Sequence, residues 1–154
     1  MSTSRRTADG RNTWRIAALI MGCLIVAGCG DGKDRAKTYP VQGTATFQGE
    51  PMPGARINFS PIEGEAKERG LVPVGVVGED GTFSVSTYET GDGAPAGRYK
   101  VTLVWDDESK MAAGGPGGGG SLDRFKGRYK KPDKSRIEVT ITEGKNVLDP
   151  IKLP

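Results

Sequence analysis

Two kinds of hydrophobic patterning divide the chain. Positions 16–28 are a continuous uncharged run of 13 residues, whereas from Tyr39 onward apolar residues recur at every second position. A period of two, broken by Gly, Pro, Asp and Asn instead of helix caps, marks strands with one buried face. Val41, Gly43, Ala45 and Phe47 alternate with Gln42, Thr44, Thr46 and Gln48 in a first strand. Positions 49–54 hold two prolines and two glycines, which cannot continue a ladder, so the chain turns before Ala55, Ile57 and Phe59 resume the alternation. Positions 61–70 carry Glu63, Glu65, Lys67, Glu68 and Arg69 and read as a solvated loop. A third strand is predicted over 72–77. Gly78-Glu79-Asp80-Gly81 then marks a hairpin into a fourth strand over 82–86. After a crossing segment at 88–97 comes the strongest strand, 98–105, with Tyr99, Val101, Leu103 and Trp105 on one face and Lys100 and Thr102 on the other. It is expected in the middle of a sheet. Ile137, Val139 and Ile141 alternate with Glu138, Thr140 and Thr142, positions 143–146 turn, and 147–153 closes the domain. Seven short strands with frequent turns and no convincing helix predict an all-β, Ig-like sandwich over residues 38–154.

The first run has a different use. Arg5, Arg6, Arg11 and Arg15 precede it, and 13 uncharged positions fall short of the roughly 20 apolar residues a spanning helix needs. A basic stretch followed by such a run fits a secretory signal at 1–28. Val26-Ala27-Gly28-Cys29 resembles a bacterial lipobox, which implies cleavage between Gly28 and Cys29 and a lipid on the Cys29 thiol. Residues 29–37 would then be a flexible tether. Because each buried acyl methylene contributes about 0.8 kcal/mol, a diacyl or triacyl cysteine holds a domain stably at a membrane surface. The expected location is extracytoplasmic, on the periplasmic or cell-surface face of a bacterial membrane.

Composition narrows the chemistry. The net charge of +3 comes from the leader, with four basic residues against Asp9, so the remainder is neutral and a nucleic-acid partner is not expected. The only cysteines are Cys23, inside the apolar run, and Cys29, which leaves no thiol for a disulfide, a zinc site or a nucleophile in the domain. Histidine is absent, removing the commonest general base and metal ligand. Asp80-Gly81 and Asp92-Gly93 lack the oxygen-ligand series of calcium loops and read as turns. The glycine-rich stretch 111–121 fails as a phosphate loop, because glycine and not lysine precede Ser121. No cofactor or metal is expected.

Two stretches remain as candidate sites. Residues 122–134 mix Phe125 and Tyr129 with Arg124, Lys126, Arg128, Lys130, Lys131 and Lys134. Such a mixture contacts anionic glycans, lipid headgroups or single-stranded nucleic acid, or else the two aromatics pin a loop while the cations face water. Asp106, Asp107 and Glu108, at the end of the strongest strand, are the only carboxylate cluster placed to support a hydrolase with an acid and a base.

The motifs also resemble a known family. V-x-G-x-A-x-F-x-G-x-P-x-P-G-A-x-I-x-F over 41–59, E-D-G-T-F over 79–83, P-A-G-R-Y-K-V-T over 95–102 and E-G-K-N over 143–146 are similar to carboxypeptidase regulatory-like domains, which share the transthyretin-like (prealbumin-like) sandwich. The whole resembles small lipoproteins of planctomycete-type bacteria that carry such a domain. This implies a non-catalytic module with a structural or binding role at the envelope, meeting an envelope protein or polysaccharide. A related adhesin sandwich can carry a Lys to Asn cross-link; here Lys37 sits before the first strand and Asn146 in the last turn, but no core-facing strand lysine is evident.

Overall fold

The computed structural model describes residues 34–107 and 122–154. The leader, Cys29, Glu108 and the stretch 111–121 lie outside the described residues. The folded unit spans Arg35–Pro154. Its strands are β1 (Thr38–Tyr39), β2 (Val41–Phe47), β3 (Glu50–Pro51), β4 (Arg56–Glu63), β5 (Val74–Val76), β6 (Thr82–Ser86), β7 (Ala94–Pro95), β8 (Gly97–Val104), β9 (Glu138–Ile141), β10 (Asn146–Val147) and β11 (Ile151–Leu153), with a short α-helical turn, α1 (Glu65–Glu68), and a 3-10 turn at Pro132–Lys134.

The fold is an all-β sandwich made by a curled sheet of order β10-β2-β6-β5-β4-β8-β9, with β3 and β11 also on β2 and a separate β1-β7 pair. Neighbours are antiparallel except at one place, where β10 and β11 both run parallel to β2. Alternation decides what is inside. Val41, Gly43 and Ala45 of β2 are buried while Gln42 and Thr44 are exposed, and Ile57 and Phe59 of β4 meet Tyr99, Val101 and Leu103 of β8. Phe59 lies 6.3 Å from the Tyr99 ring in an edge-on arrangement and 6.3 Å from Phe83. Each large apolar side chain buried this way contributes about 1.5–3 kcal/mol. Phe83 depends on glycine in both neighbouring strands: a Cβ on Gly43 would lie 2.6 Å from its ring and one on Gly75 would lie 3.0 Å from it. An aromatic over strand glycines recovers the packing that the missing side chains forfeit.

Turn chemistry fixes the hairpins. Asp80 Oδ1 accepts the Thr82 N–H (2.9 Å) and hydroxyl (2.7 Å), which holds its carboxyl below the usual value. Asp92 accepts the amides of Thr87 (2.7 Å) and Tyr88 (3.0 Å). Both Asp-Gly pairs are therefore built into turns. Gly93, at φ 91°, lets β1 approach, since a Cβ there would lie 1.8 Å from the Tyr39 carbonyl. The Tyr99 hydroxyl donates to the Pro95 carbonyl (2.7 Å), and burial pushes its pKa up to about 12.

All seven predicted strands are present, with four differences. Gln48 (φ 53°) and Gly49 (φ 88°) form the hairpin turn, so Glu50 and Pro51 rejoin the ladder opposite Phe47 and Thr46. Two consecutive positive-φ residues match the hand of strand twist, which is why the ladder survives a proline at the edge. The expected loop at 61–70 begins as strand to Glu63 and continues as α1, whose only buried residue is Ala66. Thr102, expected on the polar face of β8, is buried. Ala36, placed by the sequence in the tether, is buried as well, and its amide donates to the Tyr88 hydroxyl (3.0 Å).

Candidate functional site

β9 covers the edge of β8 only along Gly97–Lys100. Beyond that point the chain from 122 to 137 takes over as an irregular strap. Val101 donates to the Ile137 carbonyl (2.9 Å), Leu103 to Tyr129 (3.0 Å), Arg124 to Trp105 (2.7 Å) and Asp107 to Leu122 (2.8 Å). What holds the strap is the Asp123 side chain, 7% exposed. Its Oδ1 accepts the amides of Trp105 (3.1 Å) and Phe125 (3.0 Å), and its Oδ2 accepts that of Gly127 (2.8 Å). A buried carboxylate is stable only when such donors replace its water. Lys126 (φ 52°) and Gly127 (φ 77°) then turn the chain, closed by the Arg128 amide on the Phe125 carbonyl (3.1 Å).

This turn sorts the side chains. Phe125 is driven into the core, with ring centroids 5.4 Å from Phe47, 5.8 Å from Trp105 and 5.1 Å from Tyr129. Arg124, Lys126, Arg128, Lys130, Lys131 and Lys134 are left exposed. Of the sequence-predicted binding residues, Phe125 is thus a core residue without a face for a ligand. Tyr129 is half-buried, and its hydroxyl is buried with no hydrogen-bond partner among the described residues. Arg124 lies 4.4 Å over the Trp105 ring, with a nitrogen 3.8 Å from an Asp107 carboxylate oxygen. Trp105 Nε1 donates to the Pro53 carbonyl (3.0 Å).

Two hollows flank the strap. One, of about 550 Å³, is lined by Pro53, Arg56, Glu79, Trp105, Asp106 and Arg124, so both signs of charge meet there. The other, of about 500 Å³, has Tyr129, Ile137 and Leu153 together with Arg128, Lys134, Arg136 and Lys152. Its walls come from the strap, from Val101 and Leu103 of β8, and from β11 with Pro154.

No family model and no curated protein matches the chain. Among solved structures it is similar to a DUF3823 family protein from Parabacteroides merdae, with a TM-score of 0.38 and 16% identity, covering 75% of this chain and 45% of that one. The chain therefore spans less than half the length of that neighbour.

The other candidates take structural places. Asp107 lies near Arg124, and Asp106 faces Asp123 in an isolated antiparallel bridge. Among the described residues no group of three or more His, Cys, Asp or Glu side chains could hold a metal ion, and no helix is long and apolar enough to cross a membrane. Lys37 Nζ sits 5.2 Å over the Tyr39 ring, while the Asn146 amide bonds Thr142 and Gly144. The sequence reading missed Asp123, Arg136 and Lys152. D-R-F-K-G was the available signal, since aspartate readily accepts the amide two residues on and glycine readily takes positive φ.

Proposed function

We propose that the protein is a lipid-anchored, extracytoplasmic module of the carboxypeptidase regulatory-like (transthyretin-like) kind, with a structural or binding role at the cell envelope and no catalysis of its own. The observation that carries this is the run ending in Val26-Ala27-Gly28-Cys29, followed within a few polar residues by a folded unit that begins at Arg35. The sandwich supports a non-catalytic role, because Asp80, Asp92 and Asp123 all serve turns or the strap. The partner surface is the exposed cationic side of the strap, and its ligand is an envelope polysaccharide.

The test is fractionation of cells making the wild type and Cys29→Ser. The wild type partitions into detergent and carries radiolabelled fatty acid. The variant loses the label and stays unprocessed or leaves the membrane fraction. Unchanged processing and extraction of the variant would sink the anchor. Hydrolysis by the purified protein that disappears on neutralising Asp106 or Asp107 would sink the non-catalytic role.

A further inference from the structure

We propose that the hollow between the strap and β11 is a binding groove for an acidic oligosaccharide, read through carboxylates by Arg128, Lys134, Arg136 and Lys152. All four side chains are exposed, and they line one groove of about 500 Å³ that no Asp or Glu lines. A hollow of that volume lies within the range of small-molecule sites.

No acid among the described residues answers these four charges. Elsewhere on the domain Arg35 pairs with Glu89, Arg69 with Glu65, Arg98 with Glu63 and Glu138, and Arg124 with Asp107. Glu138, the acid of the adjoining strand, is drawn toward Arg98 and Lys100, away from the groove. Among the described residues Arg128, Lys134, Arg136 and Lys152 make no salt bridge. Asp133 lies in the short 3-10 turn Pro132–Lys134 but does not line the groove. A concave surface lined by one sign of charge focuses the field and raises the local concentration of the opposite ion.

The positions are also held. The Ser135 hydroxyl donates to the Val101 carbonyl and the Val101 amide donates to the Ile137 carbonyl, fixing the backbone on both sides of Arg136. Arg128 stands 5.6 Å from the Tyr129 ring centroid, just after the turn that Asp123 anchors. Lys152 is placed by the parallel register of β11 on β2, Lys152 opposite Thr46. Two guanidinium forks suit carboxylates in paired hydrogen bonds, with two ammonium groups adding charge. The half-buried Tyr129 and Ile137 offer an apolar surface on which the C–H face of a sugar ring can rest. The choice of a saccharide rests on the envelope location proposed above, while the anion groove itself does not.

The experiment titrates the full-length protein in detergent with an oligogalacturonate, with a neutral oligosaccharide of equal length and with glycerol phosphate, the soluble headgroup of phosphatidylglycerol. Binding to the oligogalacturonate alone, weakening as salt rises, is expected. Arg128→Gln with Arg136→Gln should weaken it roughly tenfold or more through lost charge-assisted hydrogen bonds. Lys67→Gln with Lys145→Gln, exposed but off both the strap and the groove, should leave affinity within about twofold, the small change expected for distant surface charge. Equal losses from the two pairs, or full binding by the arginine pair, would overturn the groove. Comparable binding to glycerol phosphate or to the neutral sugar would overturn the acidic saccharide. Because the titration needs no lipid on Cys29, a soluble Cys29→Ser protein that still binds separates failure of the anchor from failure of the groove.

Discussion

One edge of β8 is covered by two unlike pieces of chain. Along Gly97–Lys100 it pairs with β9, in which backbone alternates with backbone and register follows from Ile137, Val139 and Ile141 falling on one side. Along the rest it pairs with the strap, where the carboxylate of Asp123 stands in for a ladder and Phe125 stands in for an apolar face. In the first half many weak, interchangeable contacts share the task. In the second a few side chains carry it, so the strap is the more fragile half even though it touches the same strand.

Asp123→Ala is the severest way to break that contrast. It leaves the amides of Trp105, Phe125 and Gly127 without their acceptor, and at about 1–3 kcal/mol for each buried unsatisfied group the loss should reach roughly 3 kcal/mol or more in urea unfolding. Asp123→Asn should fall between, because an amide keeps one accepting oxygen. A loss below that of a β9 substitution would contradict the comparison.

Alkali probes the other half. Tyr99 ionises near 10 when unfolded and at about 12 in the folded chain, so the folded state disfavours the phenolate. Its contribution is complete below pH 10 and drains away as pH rises from about 10 to about 12, worth on the order of 2 kcal/mol. Stability curves at pH 9 and pH 12 should diverge less in Tyr99→Phe, after allowance for the hydrogen bond to Pro95 that this variant lacks at every pH.

Within β9, Val139→Ala removes part of a half-buried side chain opposite Tyr99 and should cost only about 1 kcal/mol by the same unfolding measurement. The smallest effect is expected at Tyr129→Phe. Removing a buried hydroxyl that has no partner among the described residues should leave stability unchanged or raise it by roughly 1 kcal/mol. A clear loss would mean that the hydroxyl has an acceptor beyond the described residues.

The contrast also explains what could be read from the amino-acid order. β2 and β6 were legible because their burial alternates residue by residue, a purely local signal, and β8 because its apolar residues do, although Thr102 between them is buried as well. The parallel docking of β10 and β11 on β2 was not, since it joins Asn146 to Val41 and Ile151 to Ala45 across the whole domain. Asp123 was overlooked for a different reason, although D-R-F-K-G marks a turn there. An acid among arginines and lysines looks like surface charge, and only the fold reveals that three peptide N–H groups converge on it. Phe125 and Tyr129 were recognised as possible anchors. Arg136 and Lys152, lying 16 residues apart in sequence, become neighbours only once the strap and β11 are in place.

The closure at the base of the strap has an engineering consequence. Asp107 and Leu122 are hydrogen-bonded at 2.8 Å and Asp106 bridges Asp123, so the sandwich holds both ends of the intervening segment whatever that segment contains. An inserted linker between fixed ends costs only about 0.6 kcal/mol more for each doubling of its length. The paired ends at Asp107 and Leu122 are thus a port at which a peptide epitope, a reporter or a second domain can be spliced, displaying cargo without rewriting the scaffold.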